Sequence, residues 1–168
     1  MMNIQMLLAL VAMILLTITI QNVNNKTLYT QETMYNSNFE ITATSLASSI
    51  IEDAGKKRFD HVFYSGDSVV TDVNSFTPAY ALGVDSGEVA TNRFTFSDFD
   101  DYNGYVTVDS TMPSAIYHLS CRVAYVDRAY PDVAINTQSW HKKITVRVWS
   151  ESMPDTIAMS TIFSYWTN

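Results

Sequence analysis

The densest group of side-chain oxygen donors in the sequence is Asp98, Asp100, Asp101 and Asn103, followed directly by Gly104. Closely spaced hard oxygen donors of this kind are how Ca2+ loops are built. A complete loop of that type closes with a bidentate Glu at its twelfth position. Counted from Asp98, that place belongs to Asp109, whose side chain is one methylene shorter. Asn103-Gly104 is also a strong turn signal in its own right. Two readings therefore stand: a turn carrying solvated acids, which is the simpler, and a site for a cation, Ca2+ being the one cofactor the residues suggest.

The remaining reactive residues do not assemble into a catalytic pattern. His61, His118 and His141 are far apart in sequence and show no metal-ligand spacing with one another or with cysteine. There is no Gly-x-Ser-x-Gly elbow, phosphate loop or dinucleotide-binding glycine turn, and five glycines leave little material for one. The single cysteine, Cys121, has no internal partner and sits in an alternating apolar run, which predicts a buried, inert thiol, an intermolecular bridge being the alternative. His141-Lys142-Lys143, beside Trp140, is a small basic patch that could contact a phosphate or a polysaccharide acid; the simpler reading is a charged strand edge that discourages aberrant pairing. The chain is therefore expected not to be an enzyme.

The elements that hold these residues fall into two parts. From Met1 to Asn25 there is no charged residue, and neither glycine nor proline occurs before Gly55. Twenty apolar residues at helical rise span roughly 30 Å, the thickness of a bilayer hydrocarbon core. A helix carried on to Ala54 would be roughly 80 Å long, well beyond an ordinary globular helix. Its second half places Leu28, Tyr35, Phe39, Leu46 and Ile50 along one stripe, expected to dock onto a head. Between the halves, Gln21 to Thr27 is rich in side chains that compete for backbone hydrogen bonds. That run is either a membrane-interface boundary or a segment able to melt. Asn25-Lys26-Thr27 also matches a glycosylation acceptor, a pattern of low information content.

After Gly55 the hydrophobic period shifts from 3.6 to 2. A hairpin is expected around Ser65-Gly66-Asp67, and an extended segment over Glu88 to Phe96. The later strands are clearer. Tyr117, Leu119, Cys121, Val123 and Tyr125 alternate with polar neighbours, as do Ile144, Val146 and Val148, and then Ile157, Met159, Phe163 and Tyr165. The expected fold class is α+β: a long N-terminal helix, its apolar half protruding and its amphipathic half packed on an antiparallel sheet. Three parts follow: 1–27 apolar helix, 28–54 amphipathic helix, and a sheet head over 55–168, about 114 residues and so one ordinary domain. The net charge of -7 disfavours nucleic acid as a partner.

An uncharged apolar helix at the N-terminus, continuing into an amphipathic half that backs an antiparallel sheet, resembles the type IV pilin family and its type II secretion pseudopilin relatives. In that family a short basic leader is removed by a prepilin peptidase, leaving a methylated first residue, for which Met1 would serve. Gln5 stands where the family usually has glutamate. An amide can still accept a hydrogen bond from a neighbour's terminal amine but offers no full charge. The helix-breaking proline and the paired C-terminal cysteines common in the family are absent, which marks a divergent member.

The resemblance implies a non-enzymatic structural subunit of a type IV pilus-like fimbrial filament, used in adhesion, motility, DNA uptake or secretion. Its partners would be further copies of itself in a helical homopolymer, the cytoplasmic membrane before assembly, and the pilus assembly machinery. Its final place would be the cell surface. Assembly is assigned to Met1, Gln5, Leu7, Leu8, Leu10, Val11, Ile14, Leu15 and Ile18. Two alternatives belong beside it: a low-copy minor pilin or pseudopilin of a secretion system, and a membrane-anchored monomeric binding domain.

Overall fold

The structure, a computed structural model, describes residues 3–61, 70–112 and 115–165. The hairpin expected at Ser65-Gly66-Asp67 and the terminal Met1 lie outside the described residues. The chain divides into two compact units, Met1–Asn38 and Phe39–Asn168.

A single helix, α1 (Ile4–Gly55), supplies most of the first unit and opens the second. Without glycine or proline to interrupt it, the backbone ladder runs unbroken through the Asn-rich Gln21–Thr27 run. The threonines that would otherwise weaken it fold their hydroxyls back onto the preceding turn. Thr17 donates to the Met13 carbonyl and Thr19 to that of Leu15, both at 2.8 Å, and Thr27 to that of Val23 at 2.9 Å. Gly55 ends the helix, as its position after the last apolar turn predicts.

In the second unit the sheet is antiparallel and five-stranded: β1 (Val106–Asp109), β2 (Tyr117–Val126), β3 (Ala134–Ile135), β4 (His141–Trp149) and β5 (Ile157–Ser164). The order is β1-β2-β4-β5, with the short β3 pairing the far end of β2. Register is set by the alternation, Cys121 lying opposite Val146 and Val146 opposite Met159. The C-terminal part of α1, from Phe39 onward, packs on this sheet, giving the α+β, pilin-like arrangement expected from the sequence.

The helix-to-sheet contact is made chiefly through small residues. Ala43, Ala47, Ile50 and Ala54 are buried and share one core with Leu119, Cys121, Val123, Ile144, Val146 and Val148, while Phe39 and Leu46 pack at its border. Three of the four helix positions are alanine, which lets the backbone approach the sheet closely. Of the stripe read from sequence, Ile50 is buried and Phe39 and Leu46 contribute. Leu28 and Tyr35 do not: both belong to the first unit and are exposed. Large apolar side chains dominate a periodicity count, so the alanine line was hidden in it.

The extended segment expected over Glu88 to Phe96 is instead turns and one 3-10 turn, Arg93–Thr95, capped by the Asn92 side chain accepting from the Phe94 amide. Local side-chain capping outcompetes strand pairing there. Asn103-Gly104 is a turn, but it does not join two strands. The Tyr105 amide donates to the Tyr102 carbonyl at 3.1 Å, Asn103 has φ -70° and ψ 117°, and Gly104 has φ +82°. This is a type II turn, feeding the 3-10 turn Asp100–Tyr102 into β1.

Candidate functional site

Two regions stand out, one in each unit. In the first, every described residue from Asn3 to Tyr35 is exposed. The assembly residues named from sequence, Gln5, Leu7, Leu8, Leu10, Val11, Ile14, Leu15 and Ile18, all lie on this exposed helix, the apolar ones 46–65% accessible. The helix is long and apolar enough to cross a membrane, and its apolar half is exposed throughout. The hydroxyls of Thr17 and Thr19, already bonded to their own backbone, add little cost to placing it in an apolar medium.

In the second unit the sheet and the loops before it enclose a polar cluster, and the acids that looked solvated in the sequence are its walls. Asp98, Asp100 and Asp101 are all buried, as are Asp60 and Lys142. The reading of a turn carrying solvated acids is thereby corrected. Lys142 occupies an inward slot of β4 in phase with Ile144, Val146 and Val148, and its ammonium is fully enclosed. It donates to the Phe59 carbonyl at 2.7 Å, to Asp60 Oδ2 at 2.9 Å and to Asp100 Oδ1. The rings of Phe59 and Tyr125 lie 4.6 and 5.4 Å from the same nitrogen. The strand-edge reading of His141-Lys142-Lys143 is therefore wrong for its central residue, which belongs to the interior.

The carboxylates are held by their own loop. Asp98 Oδ1 accepts from the Asp100 amide at 3.0 Å, and Asp101 Oδ2 accepts from the amides of Ser97 and Asp98 at 2.8 and 2.9 Å. The Phe99 amide donates to the Arg58 carbonyl, tying the loop to the chain beyond α1. Tyr102 donates to Asp53 of α1 at 2.8 Å. Asp60 accepts from the amide and hydroxyl of Thr77, and His61 lies between Asp60 and Asp85. Asn103 is occupied elsewhere, its amide donating to the Leu82 carbonyl and its oxygen accepting from the Val123 amide.

Of these four buried carboxylates, Asp60 and Asp100 pair with the Lys142 ammonium, and burial raises the proton affinity of Asp98 and Asp101, which do not. Desolvation, reinforced by the neighbouring Asp100 and Asp101 charges, pushes Asp98 up to about 9. Desolvation pushes Asp101 to about 7 against the opposing pull of its two backbone donors, with Glu88 adding to the rise. Asp100 is raised by burial and held back by Lys142.

Of the acids singled out in the sequence, the structure brings Asp98 and Asp101 together and turns Asp100 toward Lys142. Asp60, Asp85, Glu88 and Lys142 were missed. For Lys142 a signal existed, since it shares the parity of the inward β4 residues. The others carry no local signal, because they come from loops without periodicity.

Cys121 is buried as expected, and burial pushes its thiol up to about 12. A cleft of about 600 Å3 lies beside Arg128, Trp140, His141 and Ser164. His141 Nδ1 and Ser164 Oγ share a 2.7 Å hydrogen bond there, and among the described residues no carboxylate orients that imidazole. No protein-family model, curated protein or solved structure matches the chain.

Proposed function

We propose that this chain is a non-enzymatic structural subunit of a pilus-like filament, polymerising through the apolar half of α1 and displaying the sheet unit at the filament surface. The observation that carries the reading is the continuous, uncharged, exposed helix from Ile4 to Ile20, in a chain whose later helical residues serve as the backing of a sheet. In water such a segment is untenable, because each large side chain left unburied forgoes roughly 1.5–3 kcal/mol. Lipid tails and copies of the same helix satisfy it about equally, so transfer from bilayer to bundle is nearly balanced and can be driven by assembly machinery. Identical subunits related by a constant rotation and rise make heterologous contacts, which extend as an open helix. Gln5 would help set the register between neighbours, and Leu7 to Ile18 would form the bundle.

Electron microscopy of sheared surface material from producing cells tests this directly. Fibres containing the chain are expected, and they should disappear when Leu10 and Ile14 are both replaced by lysine, each charge at the centre of an apolar helix costing about 3 kcal/mol. Normal polymerisation of a chain carrying several lysines between Leu8 and Leu16 would overturn the proposal. So would finding the chain only as dispersed membrane protein, the outcome expected of an anchored binding domain.

A further inference from the structure

Two oxygens in the polar cluster have no hydrogen-bond partner although they are fully enclosed: Asp98 Oδ2 and Asp101 Oδ1. The other oxygen of each carboxylate is engaged by backbone amides, so the orphans are held fixed, not free to turn away. An unpaired buried carboxylate oxygen is costly, and two in one cluster call for a shared partner that is positively charged. Lys142 is not that partner, since its three protons go to Phe59, Asp60 and Asp100.

A third carboxylate closes the arrangement. Asp85, Asp98 and Asp101 each offer an oxygen, all within 4.8 Å of one another. Oxygens bound to one Ca2+ at 2.3–2.6 Å stand at most about 5 Å apart, so this spacing is that of ligands around such an ion. Glu88 lies at the margin: its Oε2 accepts from the Asp85 amide at 3.3 Å, and its carboxylate faces that of Asp101 closely enough to raise the latter's proton affinity. We propose that Asp85, Asp98 and Asp101, with Glu88 at their edge, bind one hard divalent cation, Ca2+ fitting best.

The donor chemistry selects the ion. All donors are oxygen, which suits Ca2+ or Mg2+ over softer metals. Between those two, Mg2+ demands a near-ideal octahedron and keeps most of its water, whereas Ca2+ accepts an irregular set of carboxylates drawn from separate loops, as here. An overlapping trio, Asp60, His61 and Asp98, also lies within 4.8 Å, but Asp60 is already engaged by Lys142 and Thr77. The site differs from the loop suggested by sequence spacing, because Asp100 and Asn103 are used elsewhere and Asp85 replaces them. Asp85, 36% accessible, marks the side from which an ion enters.

The test uses the full-length chain in detergent micelles, stripped with EGTA and then titrated with CaCl2. Calorimetry should give one Ca2+ per chain, and Tm followed by tryptophan fluorescence should rise by about 10 °C at a hundred-fold excess over Kd. Asp98→Asn and Asp101→Asn should abolish the shift, each variant being compared with itself in EGTA. Should either fail to fold, the partly exposed Asp85→Asn and Glu88→Gln carry the test: the first should lose the shift and the second reduce the affinity. Asp155→Asn, at an exposed carboxylate outside the cluster, should keep it whole. Absence of heat and of any Tm change up to about 10 mM Ca2+, beyond the weakest extracellular sites, would overturn the proposal, as would a full shift in Asp85→Asn. Neither result depends on whether the chain polymerises.

Discussion

Replacing Lys142 by Met keeps an apolar stem of similar length and removes the ammonium, with its charge and its donors, from the enclosed Asp60 and Asp100. In the native chain that ammonium makes three hydrogen bonds and lies over two aromatic rings. Removing one partner of a buried ion pair costs about 3–5 kcal/mol, chiefly as the penalty for the charges left behind. Against a typical domain stability of roughly 5–15 kcal/mol this is a large fraction. Urea unfolding of the full chain in micelles with EGTA, followed by tryptophan fluorescence, gives the comparison. Trp140 stacks on Tyr165 and meets Phe76 edge-on, in the aromatic core that adjoins Phe59 and Tyr125. The midpoint should fall with no change in slope, the mark of altered stability and not of an altered denatured state. Adding Asp100→Asn to Lys142→Met should return about 1–3 kcal/mol, because it removes one of the stranded charges. A loss below about 1 kcal/mol for Lys142→Met, or no recovery in the double variant, would refute the view that this lysine compensates the enclosed acids.

Two smaller perturbations probe the rest of the sheet unit. Cys121 should resist iodoacetamide at pH 8 in the folded chain and react once urea unfolds it, since burial raises its thiol from 9.0 to about 12; rapid native alkylation would contradict that burial. The same shift favours the folded state fully below pH 9, and its contribution is lost as pH climbs toward 12, because the unfolded thiol ionises first. Gly104→Ala should destabilise by about 1–2 kcal/mol, measured as a lower urea midpoint, since φ of +82° places a Cβ against the following carbonyl. Open space at that position means that no packing clash contributes, so a much larger loss would point to a different cause.

Much of the fold could be read from the chain because its physics is local. The absence of glycine and proline before Gly55 leaves nothing to break one long helix, and the uncharged start gives that helix its apolar half. Tyr117 to Tyr125 and Ile144 to Val148 announce their buried faces by alternation, because a strand presents successive side chains to opposite sides. The docking stripe was legible only in part. Ile50 was found, whereas Ala43, Ala47 and Ala54 were passed over, since their importance lies in closeness of approach and not in hydrophobicity.

The polar cluster was a matter for tertiary structure alone. Asp98, Asp100 and Asp101 beside an Asn-Gly turn have the local features of a solvated loop, and nothing within a few residues says otherwise. Their burial depends on Lys142, 42 positions beyond Asp100, and on Asp60 and Asp85 from separate loops. Local sequence sets the backbone periodicity and which stretch of helix is apolar enough to cross a membrane. Which charges share an interior follows from long-range packing, because the stability of a buried ion depends on neighbours that only the folded chain brings within a few ångströms.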